Sequence, residues 1–309
     1  METKLVSIII PCFNAELWVE EAINSCLEQT YPHLEIIVID DGSTDGSLDI
    51  IKRFQGAITW ETEVNRGGNY ARNRGFALSS GEYIQYLDSD DYLLPDKINQ
   101  HLSFLEQTQA DMVYGDVRYQ HHPIGGEIYQ ENAPFWGIAG EHEDFLESLL
   151  TYGCLPPMAY LLKRQIIANS PGWDESLPAG QDRDFLISLM IDNPHLTVRY
   201  QPKVGGIYRR YGNITVSTSS KPRLVQSFCR VLAKAESSLQ KSDRLSRRYI
   251  KALATCYYTM SQEYKADISS SLYQYIIRKY LSLISRLWVK KLDSFRLVSL
   301  VASQYSQSV

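Results

Sequence analysis

The chain has no uncharged apolar run of about 18 residues, the length a bilayer-spanning helix needs, so an integral membrane protein is not expected. The opening Met-Glu-Thr-Lys runs straight into the apolar stretch 5–10, too short and wrongly flanked for a secretory leader, and a cytoplasmic, non-integral protein is the expectation. Cysteine is scarce. The five residues Cys12, Cys26, Cys154, Cys229 and Cys256 are odd in number and irregularly spaced, with no Cys-x-x-Cys pair, which excludes a zinc ribbon and a disulfide framework and fits thiols in a reducing compartment. Six histidines show no metal-ligand spacing, and His121-His122 reads as exposed loop. There is no internal repeat and no low-complexity tract. What remains is an ordinary globular composition of 309 residues, 44% hydrophobic and 22% charged, enough for one large core or a domain with an appendage.

Charge is unevenly spread. Residues 221–309 hold sixteen Lys and Arg against five Asp and Glu, a net +11, and since the whole chain is −5, residues 1–220 carry −16. That asymmetry suggests two jobs, one for residues 1–220 and one for a basic extension over 221–309.

The first hundred residues alternate strand and helix in the manner that builds a parallel sheet. Val6-Ser7-Ile8-Ile9-Ile10 is a buried strand ended by Pro11. Asn14 caps an expected helix reaching Gln29, with Val19, Ala22, Ile23, Cys26 and Leu27 on one face. Glu35-Ile36-Ile37-Val38-Ile39 is the next strand, and the turn Asp40-Asp41-Gly42-Ser43-Thr44-Asp45 leaves it, with Ser43 or Asp45 capping a helix towards Phe54. A short strand is expected near 57–60. The loop Asn65-Arg66-Gly67-Gly68-Asn69-Tyr70 feeds a helix of small residues, and Pro95 opens a helix with Ile98, Leu102 and Leu105 inward. Between 111 and 220 the pattern loosens into short strands at 112–114, 159–163, 196–201 and 206–209. From 221 onward it reads as helices.

Within this frame, Gly81-Glu82-Tyr83-Ile84-Gln85-Tyr86-Leu87 is a strand that discharges into Asp88, Asp90 and Asp91. Carboxylates so close raise one another's pKa unless a cation offsets them, and Mg²⁺ or Mn²⁺ accepts oxygen ligands while leaving positions for substrate phosphates. The carboxyl end of a strand is also where open α/β sheets bind ligands.

Six motifs in order carry a resemblance to the inverting family 2 glycosyltransferases of the GT-A fold. They are Val6-Ser7-Ile8-Ile9-Ile10-Pro11-Cys12-Phe13-Asn14; Asp40-Asp41-Gly42-Ser43-Thr44-Asp45; Asn65-Arg66-Gly67 with Ala71-Arg72-Asn73-Arg74-Gly75; Leu87-Asp88-Ser89-Asp90-Asp91; Leu155-Pro156-Pro157; and Gly180-Gln181-Asp182-Arg183-Asp184. They span residues 5 to about 215. The resemblance implies a doubly wound, mixed but mainly parallel sheet flanked by helices, a nucleotide-sugar donor (a UDP-sugar foremost), and a glycan or lipid-linked acceptor in surface polysaccharide synthesis at the inner face of the membrane.

Residue by residue, it implies Pro11 and Phe13 at the base, Asp40 and Asp41 accepting from base and ribose, Arg72 on phosphate or holding the acidic turns, Asp88 on the ribose side, and Asp90 as ligand to Mg²⁺ or Mn²⁺. Asp182 stands at the position of the general base, with helix capping as its structural alternative. Gln181 stands where many relatives carry Glu, and Tyr211 where some carry a His that helps bind metal or diphosphate. A nucleotidyltransferase would carry a Gly-rich basic loop after the first strand, and Pro11-Cys12-Phe13-Asn14 is not one. A nucleotide-sugar-binding scaffold without turnover is the non-enzymatic alternative.

The resemblance does not extend to the C-terminal region. There Ile277, Tyr280, Leu281, Ile284, Leu287 and Trp288 recur at helical spacing, with Arg278, Lys279, Arg286, Lys290 and Lys291 on other faces. Such a stripe over 270–300 packs on its own domain, packs on a second copy as a homodimer, or lies on an anionic membrane. Nucleic acid is not an expected partner, since no recognition module accompanies the charge.

Overall fold

The computed structural model describes residues 4–123, 125–132, 142–211 and 220–288. In chain order it contains β1 (Val6–Cys12), α1 (Val19–Leu27), β2 (Leu34–Asp40), α2 (Ser47–Arg53), β3 (Thr59–Thr62), α3 (Gly68–Leu78), β4 (Tyr83–Tyr86), β5 (Tyr92–Leu93), α4 (Lys97–Thr108), β6 (Met112–His122), β7 (Tyr129–Asn132), α5 (His142–Thr151), β8 (Tyr160–Lys163), α6 (Arg164–Ala168), α7 (Gln181–Asp192) and β9 (Val198–Tyr211). Three longer helices follow, α8 (Lys221–Lys241), α9 (Arg247–Glu263) and α10 (Ser270–Trp288). One sheet runs β3-β2-β1-β4-β8-β6-β9-β5, with β7 paired to β6. The β3-β2-β1-β4 half is parallel, β8 runs antiparallel to both β4 and β6, and β6 and β9 are parallel to each other. This is a GT-A-like α/β fold.

All seven residues of β1 are buried, as expected of a central parallel strand covered on both faces. Helix α3 packs on β1 and β2 and comes close because Gly75 has no side chain: a Cβ there would lie 2.4 Å from Ile9 Cγ2. Gly75→Ala is therefore expected to destabilise the protein by about 1–3 kcal/mol through overpacking, despite alanine's better helix propensity. Urea unfolding measures this, and an unchanged midpoint would show that the contact yields freely.

Several expectations are corrected in detail. β1 continues through Pro11 to Cys12 instead of stopping at Pro11. Asn14 caps no helix: it takes a left-handed conformation (φ 50°), its Oδ1 accepts from Thr44 N–H at 2.8 Å, and α1 begins only at Val19. The short strands expected at 112–114, 196–201 and 206–209 belong to two long ones, β6 and β9, paired with bulges around Gly115 and Asp116. His121 and His122 lie on β6, where His121 stacks on Tyr129 and bonds Glu131, and His122 packs on Trp18.

From 221 the chain is helical over its described part. α8 packs on α7, α9 on α5 and α8, and α10 on α9, with Val225, Leu232, Leu253 and Tyr257 continuous with the core of the sheet domain. No described helix is long and apolar enough to cross a membrane. All five cysteines are free, four of them buried. Lys290 and Lys291 lie outside the described residues.

Candidate active site

At the carboxyl ends of β1, β2 and β4, a cavity of about 930 Å³ opens between two walls. One wall carries Pro11, Phe13, Asp41, Arg66, Gly67, Asp88 and Asp90, and the other runs from Glu175 to Asp182, with Arg223 from α8 at the rim. The site is where an open parallel sheet concentrates loops.

The loops after β1 and β2 are sewn together. Asn14 N–H donates to Ser43 Oγ, Ala15 N–H to Ser47 Oγ, and Glu16 N–H to Asp45. Phe13 projects from this seam, 48% exposed, so its ring is free for a planar partner and is not a core aromatic. The adjacent aspartates differ. Asp41 forks its two oxygens to the backbone N–H groups of Arg66 (2.7 Å) and Gly67 (2.8 Å) and lines the cavity. Asp40 does not line it: its carboxylate accepts from Thr62 Oγ1 at 2.7 Å and Ser43 N–H at 3.3 Å, closing the turn from beneath.

Asp41 thereby fixes the loop that starts α3, and one turn into α3 Arg72 reaches the centre of the site. Arg72 is 6% exposed, and its guanidinium donates to Asp88 Oδ1 at 2.6 Å and lies over the Trp173 ring at 4.5 Å. Weaker contacts run to Asn69 and Gln181. Burial alone would weaken this cation, but Asp88 and Asp182 hold its pKa above the usual arginine value.

Beyond Asp88 the acidic turn is gripped by β9. Arg209 N–H donates to Asp91 Oδ1 at 2.8 Å, and its guanidinium donates to the Asp90 carbonyl and to Glu21 while lying between the rings of Trp18 and Tyr92. The Tyr211 hydroxyl donates to Asp90 Oδ2 at 2.9 Å, and its ring packs on Trp18. Burial first, and Asp88 second, push Asp90's carboxyl above the usual range; burial pushes the fully enclosed Asp91 further still. Asp91 Oδ2 has no partner among the described residues.

The donor set suits a hard divalent cation. Asp88 and Asp90 face the cavity as hard oxygen donors, and the repulsion on Asp90 is what such an ion relieves. No group of three His, Cys, Asp or Glu able to cage a metal exists among the described residues.

The opposite wall presents Asp182. Gly180 occupies the N-cap position in a left-handed conformation (φ 67°), with the Phe228 ring where a side chain would go, and no side chain caps the helix. The capping alternative for Asp182 therefore falls away: it sits inside the first turn of α7, and its carboxyl is left to the cavity. Burial raises its pKa to about 7, with Asp88 adding to the rise and Arg72 opposing it.

What holds this wall was not legible as local pattern. Asn73 bonds Trp173 at both its backbone N–H and carbonyl, Asn69 donates to the Asp174 carbonyl at 2.6 Å, and Trp173 stacks on Phe185 of α7 at 4.1 Å. From α8, Lys234 donates to buried Asp184 at 2.8 Å and to Asp174 at 3.1 Å, tying the start of α7 to the loop before it. Lys234→Met strands Asp184 without its cation. A loss of about 1–3 kcal/mol is expected, less than for a fully buried pair because Lys234 is partly solvated, together with a turnover loss of about tenfold at unchanged donor affinity. Lys234→Arg should restore most of both in unfolding and steady-state assays, and wild-type behaviour of the Met variant would remove the brace.

The sheet gathers an acidic turn at one strand end, an exposed aromatic at another and a carboxyl of raised pKa around one cavity, on a GT-A-like architecture. The model of glycosyl transferase family 2 matches residues 7–167, just over half of the chain, and the chain belongs to that family. Among curated relatives, the poly(ribitol-phosphate) beta-glucosyltransferase of Bacillus spizizenii is 29% identical over 216 residues, covering 64% of this chain and 34% of that protein. This chain spans between 34% and 49% of the length of several curated relatives it matches. Among solved structures, S. aureus TarS 1-349 with UDP-GlcNAc superposes with TM-score 0.61 at 18% identity, covering 90% of this chain and 89% of that one. The mannosyltransferase PcManGT of Pyrobaculum calidifontis with GDP-Man and Mn²⁺ gives 0.53 at 17% identity, covering 94% and 81%.

Proposed function

We propose that this protein is a metal-dependent inverting glycosyltransferase that moves a sugar from a nucleoside-diphosphate donor, a UDP-sugar foremost, to a hydroxyl of a glycan or lipid-linked acceptor in surface polysaccharide synthesis at the cytoplasmic face of the membrane. Residues 1–220 supply the catalytic groups, and 221–309 are the C-terminal extension, helical over its described part, from which Arg223 reaches the cavity and Lys234 braces its wall. The observation that carries this reading is Asp182: a carboxyl raised to about 7, on one wall of a cavity whose other wall ends in Asp88 and Asp90.

On the donor side, Phe13 stacks on the base beside Pro11, Asp41 and the loop it pins meet base and ribose, and Asp88 takes the ribose side. Asp40, turned inward, serves by holding the turn. Arg72 holds Asp88 in place and lends positive charge next to the phosphates. Asp90 would hold Mg²⁺ or Mn²⁺, which when bound neutralises charge on the departing diphosphate. Asp182 accepts the acceptor's hydroxyl proton as that oxygen bonds to the anomeric carbon and the sugar–diphosphate C–O bond breaks on the opposite face. A base with pKa near 7 matches the working pH. Support comes from family membership and from two fold neighbours whose structures contain UDP-GlcNAc and GDP-Man with Mn²⁺.

The test is to offer UDP-, GDP-, CDP- and dTDP-sugars with a polyol-phosphate or glycan acceptor and to follow diphosphate release and the anomeric configuration of the product by NMR. Transfer with inversion is expected. Retention, or no release from any donor, overturns the proposal.

A further inference from the structure

Among the described residues, one face of the C-terminal helices is left partly uncovered. α10 packs on α9 through Ile276 and Leu283, at most 1% exposed, neither of which belongs to the stripe read from the sequence. Of the stripe, Tyr280, Ile284 and Leu287 are half-buried at the edge of the core, and Trp288 is 53% exposed. With Ala254, Thr255 and the 49%-exposed Tyr258 of α9 they line a cleft of about 390 Å³ whose lip carries Arg247 and Lys251. No Asp or Glu lines it. Other cations nearby are consumed within the fold: Lys279 and Arg286 pair with Glu236, and Arg248 with Glu143, Asp144 and Glu147. Lys251 has no ionic partner among the described residues, while Arg247 donates to the Leu287 carbonyl at 2.8 Å and so sits at the mouth of the cleft.

We propose that this α9–α10 cleft is the surface by which the protein docks on an anionic lipid bilayer, with Lys251 and Arg247 meeting lipid phosphates and Trp288, Tyr258 and Tyr280 settling at the boundary between headgroups and acyl chains. Tryptophan and tyrosine favour that boundary because one end is apolar and the other polar. Cationic side chains beside an apolar face are the pattern of interfacial helices. Charge complementarity selects the occupant. The cleft carries two cations, Arg247 and Lys251, and no acid, a combination that an anionic leaflet attracts. A second copy meeting the same face about a two-fold axis would set Lys251 and Arg247 against their own counterparts with no acid in the cleft to offset them.

The experiment is co-sedimentation of the full-length chain, without donor or metal, with vesicles of phosphatidylcholine alone or mixed with phosphatidylglycerol. Its readout is independent of the donor chemistry. Binding is expected only to the mixed vesicles and should fall at high salt. Lys251→Glu and Trp288→Ala should each weaken it about tenfold, with unchanged thermal stability and nucleotide binding. Three results overturn the proposal: no binding to mixed vesicles, equal binding by the wild type and both variants, or a concentration-dependent dimer that the same substitutions dissociate.

Discussion

Asp182→Asn is expected to lower kcat by about 10²–10⁴-fold while leaving donor KM unchanged, because the amide keeps the size and place of the carboxyl but cannot accept the acceptor's proton. In the wild type, kcat/KM should rise with pH through about 7 and then level, since only the ionised carboxylate is a base. The same group affects stability with the opposite sense. Its folded pKa, about 7, exceeds the ordinary aspartate value of 3.8, so between those values the folded protein holds a proton that the unfolded chain releases. This contribution to stability is intact below 3.8 and is lost as pH rises through 7. Asp182→Asn removes that loss, and the inactive variant should melt higher than wild type at pH 8. A variant with full turnover would remove Asp182 as base, and one that melts lower at pH 8 would contradict the burial argument.

Mn²⁺ and nucleoside diphosphate together are expected to stabilise the wild type, and Asp90→Asn to abolish that stabilisation. Ligand at a hundred times its dissociation constant contributes about 2.7 kcal/mol, a shift readily seen in a melting curve. Without ligand the variant should melt at or above the wild-type temperature. Burial and Asp88 already penalise the Asp90 charge, and the Tyr211 hydroxyl can still donate to the amide oxygen that replaces the carboxylate. Mn²⁺-dependent stabilisation surviving in Asp90→Asn would remove this residue as the metal's holder.

The parts of this chain legible in sequence are those whose structure follows from nearby residues. Ile8, Ile9 and Ile10 form an unbroken β1 because both its faces are covered, and the spacing of Ile98, Leu102 and Leu105 matches the buried face of α4. Asn14 was ambiguous because asparagine suits an N-cap and a left-handed turn equally, and the choice is made by Thr44, thirty residues away. Asp40 and Asp41 look alike in sequence, yet only Asp41 faces the cavity. β6 and β9 looked short because bulges and glycines break the alternation that the pairing itself sustains. In α10 the fully buried positions, Ile276 and Leu283, lie beside the stripe read from hydrophobicity, of which Tyr280, Ile284 and Leu287 pack at the core's edge, a placement that depends on α9 and is invisible in α10 alone. Lys234 carried no signal, since its partners Asp174 and Asp184 are fifty or more residues distant. Long-range contacts of this kind decide which aspartates are exposed to substrate and which are structural.

The most direct measurement is a calorimetric titration of the wild-type chain with UDP, then GDP, CDP and dTDP, in Mn²⁺ and again in EDTA. A one-to-one complex with one nucleotide that forms in Mn²⁺ and is lost or greatly weakened in EDTA is the expected result. No binding of any of the four in either condition would contradict the assignment of the cavity between Phe13, Asp90 and Asp182 as a nucleotide-sugar site.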